Sequence, residues 1–432
     1  MKIYNLKDLS QQDIQKLCLR QLEDDGSIKA RVSDIVNQVK QDGDAALKAF
    51  SLQFDKVDLT RLYLDKTELS EIAARIPDNV KAAIDTAYSN IKRFHEAQIH
   101  QEAAIETMPG VTCWRENRAI ERVGLYIPGG TAVLPSTFLM LAIPAKLAGC
   151  KEIIVCSPPQ QDGKTNSYLA YCAMLLGIDR IYLAGGAQAV AAMAYGTESI
   201  PKVDKIFGPG NRYVTQAKQL IQGTTLTAID MPAGPSEVLV LADETANPSY
   251  VASDLLAQAE HGADSQSILV ATSSNFIEET IAELEKQIVV LPRKVIAEKA
   301  IENSYALLVE DLQTGMNFSN NYAPEHLILA TSAYASLVPL IINAGSVFLG
   351  NLTPESAGDY ASGTNHTLPT SGYARAYSGV SIDSFIKKIT FQLIDKTGLN
   401  NIGNTVETLA EAEGLQAHRN AITIRLNSEN GY

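Results

Sequence analysis

The spacing of apolar residues divides the chain into a helical beginning, a long alternating middle and a helical end. Up to about residue 121, apolar residues recur at helical spacing, as in SIKARVSDIVNQVKQDGDAALKAF and ELSEIAARIPDNVKAAIDTAYSNI. From Arg122 onward, short apolar runs that end in Gly or Pro alternate with segments compatible with a helix; the runs are RVGLYIPGG, KEIIVCSPP, RIYLAGG and VDKIFGPGN. This alternation is typical of successive β-α units around a parallel sheet.

A second series of apolar runs predicts a second parallel sheet and an α/β fold. It begins at SEVLVLAD and continues through QSILVATSS, SYALLVEDL, EHLILATS and GSVFLG. If the early helices pack on this second sheet, residues 124–235 form an inserted domain between the two parts of a discontinuous domain, residues 25–123 and 236–378. Residues 1–24 are then an N-terminal extension.

Beyond about residue 379 the pattern is helical again, in FIKKITFQLI and in TVETLAEAEGLQAHRNAITIRL. This C-terminal extension, residues 379–432, is too small to bury a core of its own. We therefore expect it to dock elsewhere, for instance on a partner subunit.

Composition narrows the classes of function. The 432 residues are 46% hydrophobic, which is ample for buried cores, and the formal net charge is −13 with no block of Lys or Arg. That charge argues against nucleic acid and anionic membranes as partners and favours small molecules. The N-terminus has no apolar signal segment, and Pro144 and Lys146 interrupt the longest apolar run, so we expect no membrane span and a cytoplasmic location. The five cysteines form no CxxC pair, which fits reduced thiols.

One helix is predicted to present two metal-ligand side chains. In NPSYVASDLLAQAEHGAD, Asn247 suits the N-cap, and Gly262 suits the left-handed residue at which a helix commonly ends. Gln258 and His261 are three residues apart, so both would project from one face of the last turn. Such a pair is usually only solvated or capping, but functional residues concentrate at element ends. Three later histidines also stand at such ends: His326, His366 and His418.

A carboxylate in a later polar segment could complete a metal site. Asp359 lies in PESAGDYASGTNH, which we interpret as a loop and which also holds His366. Together with Gln258 and His261 it gives nitrogen and oxygen ligands without thiolate, which suits zinc, manganese or cobalt in a catalytic rather than a structural site. Polar surface segments are often only loops, so the residues alone leave both interpretations open.

Two proton acceptors of different basicity, Glu325 and His326, are adjacent just before an apolar strand. They could serve two proton transfers, although a polar pair at the start of a strand is commonly structural. Glu413 and His418, in the C-terminal segment, fit solvated helix residues by themselves. The residue types therefore do not decide between a catalytic and a structural role for these four side chains.

Three glycine-rich loops, LYIPGGT, LAGGAQA and FGPGNRY, follow predicted strands. Ligands of α/β sheets bind beyond the carboxyl ends of the strands, and glycine lets backbone amides approach a phosphate or ribose. These loops therefore suggest a nucleotide cleft. Ordinary βα turns would look the same, and the GxGxxG pattern is absent from all three.

Taken together, the long segments around these residues resemble the histidinol dehydrogenase family. The resemblance covers nearly the whole chain, through SDLLAQAEHGADSQ, NYAPEHLILAT, PESAGDYASGTNHTLPT, LYIPGGTA, GGAQAVAAMAYGTESIPKVDKIFGPGN and IDMPAGPSE. It implies two Rossmann-like parallel-sheet domains, of which residues 124–235 bind NAD and the discontinuous domain binds zinc. It also implies a homodimer with shared active sites, which oxidises L-histidinol through L-histidinal to L-histidine with two NAD and one zinc ion per subunit.

The resemblance also implies roles for individual residues. The family's zinc ligands correspond to Gln258, His261, Asp359 and His418, the last supplied by the other subunit. Its two bases correspond to Glu325 and His326. Its NAD contacts correspond to Tyr126, Gln188 and Asn211. Its substrate contacts correspond to Ser236, Gln258, His261, His326, Asp359, His366, Glu413 and His418.

In this scheme zinc holds the amino and alcohol groups of the substrate. His326 removes the alcohol proton in the first oxidation, and Glu325 activates water for the second. Three other functions stay open on the residues. Cys113 or Cys150 could attack the aldehyde as in aldehyde dehydrogenases, a zinc hydrolase could use water activated by Glu325, and a noncatalytic protein could simply bind a nucleotide.

Overall fold

The computed structural model describes residues 1–20, 26–129, 133–232 and 234–428. Within these ranges the α-helices are α1 (Gln11–Cys18), α2 (Gly26–Phe50), α3 (Lys66–Ala73), α4 (Asp78–Glu96), α5 (Pro135–Ala148), α6 (Ser167–Leu175), α7 (Gly186–Tyr195), α8 (Arg212–Thr224), α9 (Pro248–Ala259), α10 (Ser274–Ile288), α11 (Lys294–Glu302), α12 (Leu312–Tyr322), α13 (Tyr334–Leu337), α14 (Glu355–Tyr360), α15 (Lys396–Ala412) and α16 (Gln416–Leu426). None of these helices is both long enough and apolar enough to cross a membrane.

The strands in the same ranges are β1 (Lys2–Asn5), β2 (Tyr63–Asp65), β3 (Ile105–Met108), β4 (Val111–Ala119), β5 (Arg122–Tyr126), β6 (Glu152–Ser157), β7 (Arg180–Leu183), β8 (Lys205–Phe207), β9 (Ala228–Ile229), β10 (Glu237–Ala242), β11 (Gln266–Ala271), β12 (Tyr305–Leu308), β13 (His326–Ala330), β14 (Ser346–Leu349) and β15 (Ile386–Ile394).

Two six-stranded sheets form the centre of the fold. In sheet 1 the strand order is β2-β7-β6-β5-β8-β9, and all neighbours are parallel except β2 and β7. In sheet 2 the order is β1-β12-β11-β10-β13-β14, and all neighbours are parallel. The predicted α/β fold with two parallel sheets is confirmed.

Strand β10 shows why the apolar runs form the interior of a sheet. All six of its residues are buried. Val238 and Val240 belong to a hydrophobic cluster with side chains of α9, α10 and α11, whereas Leu239 and Leu241 belong to a second cluster that includes side chains of α12. Because both faces of sheet 2 are covered, its strands are hydrophobic without the alternation of a half-exposed sheet.

Helices α2, α3 and α4 belong with sheet 1. Helix α2 packs on α7 and α8, α3 on α6 and α4 on α5, and their buried side chains, such as Val36, Leu69 and Ile91, share one core with Val123 of β5. The expectation that these helices cover the second sheet is therefore wrong. The reason is that α5, α6 and α7 are apolar on nearly all sides, so they require a second layer of helices outside them. The inserted domain at residues 124–235 stays a prediction.

The C-terminal extension begins with a strand where the sequence predicted a helix. Strand β15 (Ile386–Ile394) pairs antiparallel with β4, and β4 pairs with β3, in a separate three-stranded sheet. The β-branched and aromatic residues of this segment favour a strand once a partner strand is present. Helices α15 and α16 then pack on each other, and α16 buries none of its residues. Leu409, Leu415 and Ile424 stay exposed, so this part of the chain has little core of its own.

Candidate functional site

Helix α9 brings the first two predicted ligands to one end of sheet 2. Its N-cap is Asn247, as predicted, and the Asn247 side chain accepts a hydrogen bond from a backbone amide of the first turn. The helix ends at Ala259 rather than at Gly262, so Gln258 lies in its last turn and His261 lies two residues beyond it. The two side chains therefore do not share a helix face as predicted. His261 reaches the space described below, and α9 packs on α14, the helix that carries Asp359.

The Gln258 amide is buried without a partner. Its side chain has no exposed surface, and neither Oε1 nor Nε2 has a hydrogen-bond partner within the described part of the chain. A buried polar group left in this state costs about 1–3 kcal/mol of stability. The fold therefore holds a carbonyl oxygen ready for a ligand at the expense of stability.

Asp359 faces three histidines, and it lies on helix α14 rather than in the predicted loop. One carboxylate oxygen is 3.9 Å from His261 Nε2, and the other is 3.7 Å from His326 Nε2 and 3.9 Å from His366 Nδ1. These distances are longer than hydrogen bonds, so the four side chains surround a common space rather than bond one another.

Glu355, one turn before Asp359, is a site residue that the sequence interpretation missed. Its side chain is buried, and neither carboxylate oxygen has a hydrogen-bond partner among the described residues. Ligand atoms of His261, Glu355 and Asp359 all lie within 4.8 Å of one another, a grouping that could hold a metal ion. The signal in the sequence was the spacing of two acids four residues apart, which a helix places on one face. Interpreting the segment as a loop concealed it.

Burial sets the protonation of this cluster. Loss of hydration raises the pKa of Asp359 to about 7 and raises the pKa of Glu325 and Glu355 well above their usual range. The same desolvation lowers the pKa of His326 to about 3 and that of His366 to about 4. The histidines are therefore neutral at pH 7, and a bound cation would favour the ionised form of the carboxyls.

Glu325 and His326 are both fixed by the backbone of Glu237. The Glu237 amide donates to Glu325 Oε2 at 3.0 Å, and the Glu237 carbonyl accepts from His326 Nδ1 at 3.3 Å. Because a carbonyl can only accept, Nδ1 carries the ring hydrogen and Nε2 keeps its lone pair. His326 Nε2 is buried and has no hydrogen-bond partner among the described residues, so it can accept a proton from a bound molecule.

The cluster lies at the amino edge of sheet 2. Glu237, His326 and Ser346 are the first residues of β10, β13 and β14, and parallel strands begin at the same edge. Ligands of open α/β sheets usually bind at the opposite, carboxyl edge. Ser236, a predicted substrate contact, is half-buried at this amino edge because it directly precedes β10.

The carboxyl edge of sheet 1 borders the same region. Thr137, in the first turn of α5, forms a 2.8 Å hydrogen bond through Oγ1 with His366 Nε2. The Met140 carbonyl, one turn later, accepts a 2.5 Å hydrogen bond from Asn365. These contacts join the helix that follows β5 to the segment that follows α14. The carboxyl edge of one sheet and the amino edge of the other thus meet at His366.

The predicted NAD contacts lie at this carboxyl edge. The hydroxyl of Tyr126, the last residue of β5, accepts a 3.1 Å hydrogen bond from the Gly186 amide, and Gln188 lies buried in the same first turn of α7. Asn211 caps α8, where its side-chain oxygen accepts two backbone hydrogen bonds. A Cβ on Gly208 would overlap the Tyr126 carbonyl oxygen, so the loops after β5 and β8 approach as closely as only glycine allows.

Two predicted site residues lie apart from the others. Glu413 is the exposed C-cap of α15, and His418 is exposed in α16. The metal-ligand grouping found within the described part of this chain does not include His418. One chain on its own therefore does not bring these two side chains to Asp359.

Comparison with known proteins finds similarity to histidinol dehydrogenases throughout the chain. The family model described as "Histidinol dehydrogenase" matches residues 18–426. A histidinol dehydrogenase from Bacteroides fragilis is 54% identical over 426 residues, or 99% of each chain. The chloroplastic histidinol dehydrogenase of Arabidopsis thaliana is 53% identical over 431 residues, or 99% of this chain and 91% of that protein. The crystal structure of histidinol dehydrogenase from Elizabethkingia anophelis has a TM-score of 0.96 and 51% identity, covering 100% of this chain and 99% of that one.

We predict that Gln258→Met stabilises the metal-free protein. The substitution removes two buried polar atoms without partners and keeps an unbranched side chain of similar length, so the free energy of unfolding should rise by about 1–3 kcal/mol. Thermal unfolding in the presence of a chelator measures it. The matched control is Gln287→Met, since Gln287 Nε2 donates 3.0 Å and 3.2 Å hydrogen bonds to Ser249 and its loss should not stabilise. A lower unfolding temperature for Gln258→Met would show that the amide is satisfied after all.

Proposed function

The chain belongs to the histidinol dehydrogenase family, and from that premise we propose that it oxidises L-histidinol through L-histidinal to L-histidine with two NAD, in the last steps of histidine biosynthesis. The observation that carries the proposal is the grouping of His261 and Asp359, with Asp359 Oδ1 3.7 Å from His326 Nε2 and Glu325 adjacent to His326. A ligand set alone would fit many enzymes. Two separate proton acceptors at its border fit an alcohol oxidation followed by an aldehyde oxidation.

We assign one zinc ion per subunit to Gln258, His261 and Asp359, with His418 of the partner subunit as the fourth ligand. The support is the donor set: an amide oxygen without a partner among the described residues, an imidazole whose pKa burial lowers, and a buried carboxylate. Bound zinc would hold the amino and alcohol groups of the substrate and polarise the alcohol oxygen. The Glu355 carboxylate lies in the same grouping and would offset part of the positive charge.

His326 is the proposed base for the alcohol. The bond from Nδ1 to the Glu237 carbonyl holds the ring and directs the lone pair of Nε2 into the site. Burial keeps the imidazole neutral at pH 7 but lowers its pKa to about 3, so the transfer would also require the bound zinc to make the alcohol more acidic. NAD would supply the hydride acceptor for each of the two oxidations. The Asp359 carboxylate, 3.7 Å from Nε2, would stabilise the imidazolium that results.

Glu325 is the proposed base for the water that adds to the aldehyde. Its carboxylate is buried and fixed by the Glu237 amide. Burial raises the pKa of Glu325 well above its usual range, so the carboxylate would depend on the bound cation to be ionised; once ionised, it is a stronger proton acceptor than an exposed carboxylate. His326 and Glu325 thus have separate tasks in the two oxidations.

The remaining predicted residues are assigned to the substrate and the cofactor. We propose that Ser236, His366 and Glu413 bind the imidazole and main-chain ends of the substrate. Ser236 and His366 lie where the two sheet edges meet, which supports this assignment. We propose that NAD binds at the carboxyl edge of sheet 1, in the domain of residues 124–235, through the three residues already named there: Tyr126, Gln188 and Asn211.

We further propose a homodimer with shared active sites in the cytoplasm. Exposed apolar side chains on α15 and α16, among them Leu409 and Ile424, give a partner subunit a surface to cover. Docking of this extension on the partner would carry Glu413 and His418 to the partner's cluster. The five free cysteines support a reducing compartment.

The alternative in which Cys113 or Cys150 attacks the aldehyde, forming a thiohemiacetal, is disfavoured. Cys150 is buried, and desolvation raises the pKa of its thiol to about 11, which opposes formation of the nucleophilic thiolate. The other candidate nucleophile, Cys113, lies on β4 of the three-stranded antiparallel sheet and not at the edge of sheet 2 that carries His326. A zinc hydrolase would use the same Glu325 and the same cation. Only the reaction that the protein catalyses therefore distinguishes a hydrolase from a dehydrogenase.

We predict two NADH formed per histidinol consumed. A chelator should abolish NADH formation, and zinc should restore it, because the cation orients the substrate. Spectrophotometric NADH measurement with quantified histidine and histidinol provides the test. Hydrolysis of a histidine ester or amide without NAD would instead support a zinc hydrolase. NAD binding without NADH formation would support a noncatalytic protein.

We predict that Glu325→Gln separates the two oxidations. Loss of the base should slow histidinal oxidation by about 10²- to 10⁴-fold, while the first oxidation of histidinol stays much faster. Single-turnover NADH formation with each substrate measures the two steps. The exposed Glu121→Gln serves as the control. Equal loss in both steps would contradict the division of tasks between Glu325 and His326.

We predict that mixed dimers recover activity when His418→Asn and His261→Asn proteins are combined. Each variant alone should bind zinc poorly, but a heterodimer contains one site in which both histidines are intact. Random exchange of subunits should restore about a quarter of wild-type activity, since half of the dimers would have one of two sites complete. No recovery after verified exchange would place all ligands on one chain.

A further inference from the structure

Arg20, in the N-terminal extension, forms a buried ion pair with Glu237. Arg20 Nε and Nη2 donate to the two carboxylate oxygens at 2.7 Å and 2.6 Å, and the exposed fractions of the two side chains are 10% and 1%. Arg20 Nη1 also donates to the Tyr322 carbonyl at 2.6 Å, and the guanidinium lies 3.5 Å above the Tyr322 ring. The planar guanidinium, held by two carboxylate oxygens and one ring, fixes the orientation of the Glu237 carboxylate as well as balancing its charge.

Glu237 passes this constraint to both proposed bases through its backbone. It is the first residue of β10, and its amide and carbonyl make the hydrogen bonds that orient Glu325 and His326. Its side chain also accepts a 3.0 Å hydrogen bond from the Ser371 amide. One residue, held by Arg20 from outside the sheet, therefore supports two neighbouring side chains with different proposed tasks.

The charges of Arg20 and Glu237 balance each other, and both side chains are largely shielded from water. Burial raises the pKa of Glu237, and the Arg20 guanidinium opposes that shift. Without Arg20, the Glu237 carboxylate would have to protonate or move toward water. Either change disturbs the first residue of β10, whose two backbone groups carry the bases. Misplacement of catalytic groups by about 1 Å can cost about 100-fold in rate.

We propose that Arg20 is a positioning residue: through its forked contact with Glu237, it sets the orientation of Glu325 and the ring tautomer of His326. The inference rests on the proposed function for its kinetic consequence. This role gives the N-terminal extension a part in catalysis. Arg20 forms no hydrogen bond to either base among those described and acts only through Glu237.

Kinetics of Arg20→Met and Glu237→Gln test the proposal. Each variant should lower kcat by about 10- to 100-fold for both histidinol and histidinal, with KM within about threefold of wild type, because orientation rather than binding is lost. The double variant should lose little more than the worse single variant, since both changes break one contact. Arg20→Lys, which keeps the charge without the fork, provides a folded variant if Arg20→Met is unstable, and it should also lose kcat.

The matched control is Arg375→Met. Arg375 lies beside Arg20 at Gly372, but its guanidinium donates to the Asn321 carbonyl instead. The kcat of Arg375→Met should stay within about twofold of wild type. This control distinguishes a general effect of removing an arginine in this region from the specific effect on Glu237. If Arg20→Met and Arg20→Lys also stay within twofold, or lose activity only in proportion to the folded fraction, the proposal is wrong.

A spectroscopic measurement keeps the proposal independent of the reaction assigned to the enzyme. In protein labelled with ¹⁵N-histidine, the wild type should show His326 protonated at Nδ1, and His326→Asn identifies the signal among six histidines. Arg20→Met or Arg20→Lys should shift or remove this signal, whereas Arg375→Met should not. An unchanged His326 signal would overturn the positioning role. A wild-type protein that forms no NADH from histidinol would refute the proposed function while leaving this comparison intact.

Discussion

The burial of several carboxyl groups beside neutral histidines is the constraint on which the rest of the structure depends. Glu325, Glu355 and Asp359 are all desolvated, and the neighbouring histidines are neutral. Arg20, the buried cation next to them, is already bonded to Glu237. A cluster of this kind is unfavourable by itself, and the two large hydrophobic sheets supply the stability that offsets it. Such local conflict between folding and charge is typical of functional sites.

The arrangement of the two sheets explains how different chemistry meets in one place. Sheet 1 contributes a carboxyl edge, where tight glycine loops and helix N-termini suit a phosphate-bearing cofactor. Sheet 2 contributes an amino edge, where the first residues of three strands offer backbone groups to hold side chains. The hydrogen bond between Thr137 and His366 joins the two edges. In the proposed function, neither sheet alone would place a base beside the cofactor.

The sequence predicted the parallel sheets and several site residues because both leave local signals. Apolar runs report strands buried on both faces, and Asn247 reports the start of α9. The layer of early helices was misassigned because amphipathic periodicity shows that a helix packs but not on which sheet. Glu355 was missed because a six-residue helix has too little pattern to distinguish it from a loop. The role of Glu237 was invisible because it acts through backbone atoms, which every residue has.

Long-range pairing in this fold has a consequence for biosynthesis. Arg20 lies 217 positions from Glu237, β1 pairs with β12, and β4 pairs with β15. A ribosome releases the early partners long before the late ones, so these contacts form only after more than half of the chain has been made, and the pairing of β4 with β15 forms only when translation is nearly finished. His261 emerges well ahead of Asp359, so if zinc binds as proposed, a nascent chain would offer a passing ion too few ligands to retain it. The order of synthesis would then delay metal capture until the surrounding framework exists.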